Sequence, residues 1–419
     1  MKDILRGSLV LTSSNLAVRV LGYLYRVLAG RMLTTAEFGI LNLALPIQYM
    51  IIILSSSGIA PAISKFVSEY EAGGEYKKRD GVISSSLLFY TLIGIALGIL
   101  FYLAAPYIGT YIFNEERAIV PLKIASIALP FGMLVAVYTG IFQGFKRMEY
   151  MGGTLVIEQV LRVVFAVLLL SVSATAINAI IGSTLGFIVV LPIAYLLFKK
   201  LGLKISQPSF DEFKRIFKFS LPVSATALAA FVLAYIDILL LGYFMSAEDV
   251  GIYSAASPTS RLVMAFSAAL YAVMLPSISE TVAKKDSVQL RGYISYAYKL
   301  SIVILLPVTL VSILLSGPII TVLFGSRYLA AVAPFEILVV GTAFLGIFTL
   351  NSSIFQGAGR PGITMAILIS TAVLDGVLNW VLIPRFEIVG AALASTLSFV
   401  FAGVGSTLLL VVYLRRSPI

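Results

Sequence analysis

Thr34-Thr35-Ala36-Glu37-Phe38-Gly39-Ile40, running on to Pro46, returns as Ser246-Ala247-Glu248-Asp249-Val250-Gly251-Ile252, running on to Pro258. The offset is about 212 residues, and three further landmarks keep it within a few positions. Ala60-Pro61-Ala62-Ile63-Ser64 returns as Leu275-Pro276-Ser277-Ile278-Ser279, and Ile141-Phe142-Gln143-Gly144 as Ile354-Phe355-Gln356-Gly357. Ser183-Thr184-Leu185 returns as Ser395-Thr396-Leu397. Chance matching does not hold one offset across four landmarks. Because the repeated unit is almost wholly apolar, the pattern marks a transporter built from two related halves.

Composition narrows the class further. Hydrophobic residues make up 59% of the chain and charged residues 12%, and the mean hydropathy is +1.02. Soluble domains carry about twice that share of charge. Apolar runs long enough to cross about 30 Å of hydrocarbon as helices fill the chain nearly end to end. Six fall in each half: 7–30, 38–63, 82–104, 119–142, 153–173 and 176–198, then 219–243, 251–277, 293–316, 331–355, 363–384 and 388–414. The expected fold is therefore an all-α polytopic membrane protein with 12 transmembrane helices. An N-terminal lobe (1–203) and a C-terminal lobe (219–419) are joined by a cytoplasmic linker (204–218). Six crossings is an even number, so both lobes enter the membrane from the same side. They are parallel repeats with a pseudo-two-fold along the membrane normal.

The net charge of +10 raises the question of nucleic acid, and its distribution answers it. With the N-terminus inside, 20 of the 30 Lys and Arg residues fall in cytoplasmic segments. Lys65, Lys77, Lys78 and Arg79 share one of these, and Lys199, Lys200, Lys204, Lys214, Arg215 and Lys218 share the central one. That is the positive-inside bias of a membrane protein lying against anionic lipid. Both termini are expected in the cytoplasm, with no nucleic-acid partner. Lys2 and Arg6 precede a first span too long for a signal peptide, so a cell-membrane location without cleavage is expected. Cys and His are both absent, which removes disulfides, thiolate nucleophiles and the commonest metal ligands. No catalytic residue, resident cofactor or metal site is expected.

Polar residues at membrane depth are costly and usually face a cavity or one another. Ser8, Thr12, Asn15, Arg19, Tyr23 and Arg26 step along the first span by three or four and keep within a stripe about 80° wide. Arg261 stands near mid-depth in the eighth span, among Ser257, Thr259 and Ser260. Guanidinium forks stay charged when desolvated and grip phosphate oxygens two at a time. Arg19, Arg26 and Arg261, with Asn15 and Tyr23, are thus candidate ligands for an anionic substrate; purely structural ion pairing is the competing explanation. Asp237 falls at nearly the repeat-equivalent position of Arg26. It is a candidate gate, latched to Arg26 in one state, or else a static pair or an ion site coupled to H+ or Na+. Asp375 and Asn379, four apart in the eleventh span, could hold a coupling cation or merely pack helices. Glu158 and Arg162 are spaced to neutralise each other.

These residues carry a resemblance. Asn15-Leu16, Arg19 through Arg26, Glu37-Phe38-Gly39, Pro46 and Gly58 through Lys65 resemble the polysaccharide transporter branch of the multidrug/oligosaccharidyl-lipid/polysaccharide exporter superfamily, with its Wzx-type and stage V sporulation protein B-like flippases. Asn379 through Pro384 and Gly390 through Ser395 are similar to the superfamily's eleventh-to-twelfth helix stretch. The resemblance implies two six-helix lobes forming a V and working by alternating access. It also implies flipping of a polyprenyl-linked sugar from the inner to the outer leaflet, with arginines on the first and eighth helices facing the lumen. Arg19, Arg26 and Arg261 match in placement. Lipid II flippases commonly add two helices that this chain does not show, which favours an oligosaccharide over the peptidoglycan precursor.

The expected function is flipping of an anionic polyprenyl-(di)phosphate-linked glycan by a monomer. Its partners are that substrate and the surrounding lipid, with H+ or Na+ as the possible coupling ion. Cation-coupled multidrug antiport, which the same superfamily performs, is the alternative. A membrane-embedded glycan-processing enzyme would need clustered carboxylates or His at a membrane face, and the chain has no such cluster.

Overall fold

The computed structural model describes residues 2–203, 206–284 and 286–416. Lys204 lies outside the described residues, as do the side chains of Lys2 and Arg6. Among the described residues every regular element is helical. The helices are α1 (Lys2–Met32), α2 (Thr35–Ala72), α3 (Tyr76–Tyr107), α4 (Ile119–Gly144), α5 (Met148–Val172), α6 (Ala176–Lys199), α7 (Phe210–Phe244), α8 (Ala247–Ser260), α9 (Ala268–Ala283), α10 (Ser287–Leu314), α11 (Ser316–Phe324), α12 (Val332–Gly357) and α13 (Pro361–Arg416). Eight segments among the described residues are long and apolar enough to cross a membrane. α1 is not one of them, because its polar ribbon dilutes its hydropathy.

The stretch that reveals the repeat is a helix start in both copies. Thr34 caps α2, its hydroxyl accepting from Glu37 N at 3.2 Å. Ser246 caps α8 in a full capping box with Asp249. Side-chain oxygens here satisfy backbone donors that the first helical turn leaves unpaired. A second repeated feature, Phe142-Gln143-Gly144 against Phe355-Gln356-Gly357, is a helix stop in both copies. Arg147 N donates to Phe142 O and Arg360 N to Phe355 O, each at 2.8 Å. Lys146 and Gly359 take the left-handed conformation at the same place, with φ of 57° and 74°. Only the second copy uses glycine where the backbone favours it.

Three features differ from the expectation. The eighth span, read as one helix over 251–277, is broken into α8, a 3-10 turn at Arg261–Ser267, and α9. Pro258, which lacks the amide donor that a continuing helix needs, stands just before that break. The short helix α11 falls between the ninth and tenth expected spans. The eleventh and twelfth spans run together as α13, interrupted at Glu387, whose φ is 54° and ψ −135°. That interruption lies inside the expected gap between 384 and 388.

The chain divides into two compact units, 1–231 and 232–419. The division falls within α7, between Phe231 and Val232, whereas the sequence reading placed it at 204–218. In the first unit α2, α3, α5 and α6 pack around α4, while α1 lies against α5. The end of the linker is tied to α3: Ser206 N donates to Ser84 Oγ at 3.0 Å and Ser209 N to Ser85 Oγ at 2.7 Å. The early turns of α7 add Phe213 against Phe89 and Tyr90. In the second unit α12 is the hub, contacting α8, α9, α10 and α13.

Small residues let these helices approach, since no hydrophobic drive separates protein from lipid tails. Gly182 on α6 makes the tightest such approach to α5: a Cβ there would collide with the Ala166 backbone. Gly182→Val is expected to force α5 and α6 apart and destabilise the first unit by about 2 kcal/mol or more. Thermal unfolding of the solubilised protein measures this, with Gly153→Ala, which meets open space, as the silent control.

Candidate functional site

In the first unit the site is built on α1. Gly7, Ser14 and Gly22 turn towards α5; a Cβ on Gly152 of α5 would collide with Ser14 Oγ. The polar ribbon lies on the opposite side. Ser8, Thr12, Asn15 and Arg19 are exposed, and Tyr23 and Arg26 are half-buried further along the same ribbon. Neither Arg19 nor Arg26 has a carboxylate partner among the described residues. Beside the ribbon runs an apolar stripe: Leu9 is 68% exposed, Leu16 63%, Val20 58% and Leu24 42%. One helix thus presents a cationic, hydrogen-bonding track and an oily track side by side.

Behind α1 lies a buried polar cluster. Arg162 on α5 grips Glu158 through Nη2 at 2.5 Å and Nε at 3.1 Å, the self-neutralising pair expected from the spacing. Its Nη1 donates to the Tyr49 hydroxyl on α2, and the guanidinium lies 4.6 Å from the Phe187 ring centroid on α6. Buried carboxylates and guanidiniums persist only when paired in this way.

In the second unit, Asp237 on α7 is 1% exposed and bound from within that unit. One carboxyl oxygen accepts from the Tyr253 hydroxyl at 2.8 Å and Ser257 Oγ at 3.3 Å, and the other from Ile238 N at 2.8 Å. Arg261, half-buried at the α8 break, donates from Nη2 to Ala234 O at 2.9 Å. It stands close enough to interact electrostatically with both Asp237 and Asp375. Asp375 and Asn379 on α13 share one face, as their spacing requires: Asn379 Nδ2 donates to Asp375 Oδ1 at 3.0 Å. Both are fully buried.

The cluster is incompletely satisfied. Among the described residues Asp375 Oδ2, Asn379 Oδ1, Ser395 Oγ and Ser398 Oγ are buried oxygens that make no well-formed hydrogen bond, although both serine hydroxyls stand within loose hydrogen-bonding reach of the Asp375 carboxyl. Orphaned buried polar atoms are rare and call for an explanation. Among the described residues no group of three or more His, Cys, Asp or Glu could hold a metal ion. The mixed oxygen set, two carboxylates with an amide and hydroxyls, suits a hard monovalent cation or a proton.

The structure therefore gathers Asp237, Asp375, Asn379 and Arg261 in the second unit. It lines up Asn15, Arg19, Tyr23 and Arg26 on α1 of the first. Sequence reasoning assigned no role to Tyr253, Ser395 or Ser398. Ser395 was visible as a repeat landmark, and Tyr253 replaces Leu41 at the repeat-equivalent position. A polar residue in one copy against an apolar one in the other was the available signal.

Residues 4–282 match the sequence family described as polysaccharide biosynthesis protein. The chain belongs to this family. Residues 222–381 also match the family named MatE. A probable low-salt glycan biosynthesis flippase, Agl15 of Haloferax volcanii, is 25% identical over 95% of this chain and 81% of its own. The lipid II flippase MurJ of Bacillus subtilis is 23% identical over 95% of this chain and 80% of its own. Among solved structures, a multidrug resistance MATE family transporter of the MOP superfamily in an inward-facing conformation superposes with a TM-score of 0.78. It is 18% identical and covers 95% of this chain and 96% of its own. The chain is thus a multi-pass membrane transporter of the flippase type and not an enzyme.

Proposed function

We propose that this protein flips an anionic polyprenyl-(di)phosphate-linked oligosaccharide from the inner to the outer leaflet of the cytoplasmic membrane by alternating access. The observation that carries this reading is the double track on α1. A substrate with a charged, hydroxyl-rich head and an oily tail matches a ribbon of Ser8, Thr12, Asn15 and Arg19 beside a stripe of Leu9, Leu16, Val20 and Leu24. In the first unit Arg19 and Arg26 are the phosphate ligands, since guanidinium forks lose less on desolvation than ammonium groups, and Arg261 is the anion-binding arginine of the second unit. Asn15 and Tyr23 supply neutral hydrogen bonds to sugar. The protein acts as a monomer with both termini in the cytoplasm, as the positive-inside bias supports.

Asp237, Asp375 and Asn379 are the coupling group, taking up Na+ or H+ in the second unit. The orphaned oxygens around Asp375 support this assignment. A coupling cation there contributes one positive charge among two carboxylates and Arg261, which leaves the buried cluster near neutrality and lowers its desolvation cost.

The second reading, cation-coupled antiport of organic cations, is favoured by the same carboxylates and by the MatE match. The sign of the substrate charge separates the two. Purified protein in nanodiscs is expected to bind a polyprenyl-diphosphate sugar and not a lipophilic cation. Arg19→Ala should weaken that binding on the order of 10- to 100-fold, the worth of one charge-assisted hydrogen bond. Tighter binding of the cation, indifferent to Arg19, would give the antiport reading its case. In cells, loss of the gene should leave lipid-linked precursor accumulating on the cytoplasmic side.

A further inference from the structure

The repeat can be carried inside the helices, residue against residue. Phe142-Gln143-Gly144 to Arg147 aligns with Phe355-Gln356-Gly357 to Arg360, in both sequence and backbone hydrogen bonding. Both helices that follow run without a break through the next four turns, so Arg162 aligns with Asp375. The helix ends Met32 and Phe244, followed by the caps Thr34 and Ser246, align Tyr25 with Asp237. Pro46 against Pro258 aligns Tyr49 with Arg261, and Ser183 against Ser395 aligns Gly186 with Ser398.

The packing agrees with this register. A Cβ on Gly186 would stand 3.0 Å from Cα and Cβ of Arg162, just as Ser398 lies beside Asp375. Within each unit, then, the equivalent positions are neighbours. Their charges differ in a consistent way. The second unit has Asp237 and Asp375 against Arg261, one formal negative charge in excess, with loosely bonded oxygens around Asp375. The first unit has Arg162 against Glu158, which balance. Its guanidinium sits where the second unit has a carboxyl, and it is fully engaged by Glu158, Tyr49 and the Phe187 face.

We infer that Arg162 is a tethered cation. It supplies the first unit, covalently and permanently, with the positive charge that the second unit takes from solution, and so limits each chain to one exchangeable cation. The limit to one rests on the coupling reading of the second unit; the tethered role of Arg162 does not. With Arg162 removed, Glu158 and the Tyr49 hydroxyl, which now engage the guanidinium, face the vacated volume and offer it oxygen ligands for a monovalent cation.

The test counts Na+ bound to the full-length protein in nanodiscs, with choline replacing Na+ as the blank. Arg162→Ala should bind one more Na+ per chain than the parent protein. Arg162→Lys, which keeps a tethered charge, should show the parent count. Adding Glu158→Gln to Arg162→Ala should remove the extra ion. An Arg162→Ala chain that is folded yet binds no more Na+ than the parent overturns the inference. If Arg162→Ala is too unstable to count, its thermal midpoint supplies the answer. Na+ over choline should raise that midpoint more than it does for the parent, and an equal response overturns the proposal. A parent chain that binds no Na+, with Asp375→Asn making no difference, overturns Na+ as the coupling ion of the second unit and with it the limit to one exchangeable metal cation. In that case the gain or lack of an ion in Arg162→Ala still judges Arg162.

Discussion

Asparagine at position 375 is expected to abolish the response of this protein to monovalent cations. Asp375 is fully buried, its Oδ1 is held by Asn379 Nδ2 at 3.0 Å, and its Oδ2 makes no well-formed hydrogen bond among the described residues, with the Ser395 and Ser398 hydroxyls only loosely beside the carboxyl. Asparagine has the same shape, so helix packing around α13 should survive. What it removes is the carboxyl group that becomes the anionic partner of a bound cation. Removing a charged partner at a buried site weakens binding on the order of 10- to 100-fold, which takes a physiological affinity out of range. The chain's single tryptophan makes this measurable. Trp380 follows Asn379 directly and stacks on Tyr243 at 5.6 Å, so its fluorescence reports on the second unit. Titration with Na+ against choline should quench or shift Trp380 in the parent and leave Asp375→Asn flat. A parent-like titration in Asp375→Asn would remove this cluster from the coupling role.

Arg261→Ala should produce the other large effect, a loss of anionic headgroup binding on the order of 10- to 100-fold. Arg261 stands at the end of α8 where the helix breaks into a 3-10 turn, and among the described residues one hydrogen bond, to Ala234 O, anchors it. Its remaining donors are available to a ligand. Alanine removes both the anchor and the fork, so the comparison with Arg261→Lys is informative. Lysine keeps the charge but not the planar fork, and should restore part of the binding while leaving it clearly below the parent. Binding of a polyprenyl-diphosphate sugar, read at fixed salt, gives the ranking parent, Lys, Ala. Equal affinity of all three would mean that Arg261 is purely structural.

Much of the helix pattern was legible because membrane sequence is governed by few rules. A chain that must satisfy its backbone within each segment has to be helical. Most of the expected spans therefore reappear as helices, with ends shifted by up to about two and a half turns, and the gap expected between 384 and 388 contains Glu387, where α13 breaks. The break in the eighth span was not legible. A 3-10 turn at Arg261–Ser267 leaves hydropathy unchanged, and Pro258 occurs in the first copy as Pro46 within an unbroken α2. The two prolines share a register and not an outcome.

Of the site, one-helix relationships could be read and cross-helix ones could not. Glu158 with Arg162, Asp375 with Asn379, and the α1 ribbon each follow from 3.6-residue geometry, and each is present. The Tyr253 hydroxyl on Asp237 joins two helices, and the Tyr49 hydroxyl on Arg162 joins another two, at separations no local rule reaches. Composition, charge asymmetry and the internal duplication were enough to establish a helical, membrane-embedded, two-part transporter with guanidiniums on its first and eighth spans, because those properties depend on solvent and local geometry. Which buried charges are balanced and which are left with unsatisfied oxygens emerged from packing alone, since electrostatic balance in a low-dielectric interior depends on partners supplied by other helices.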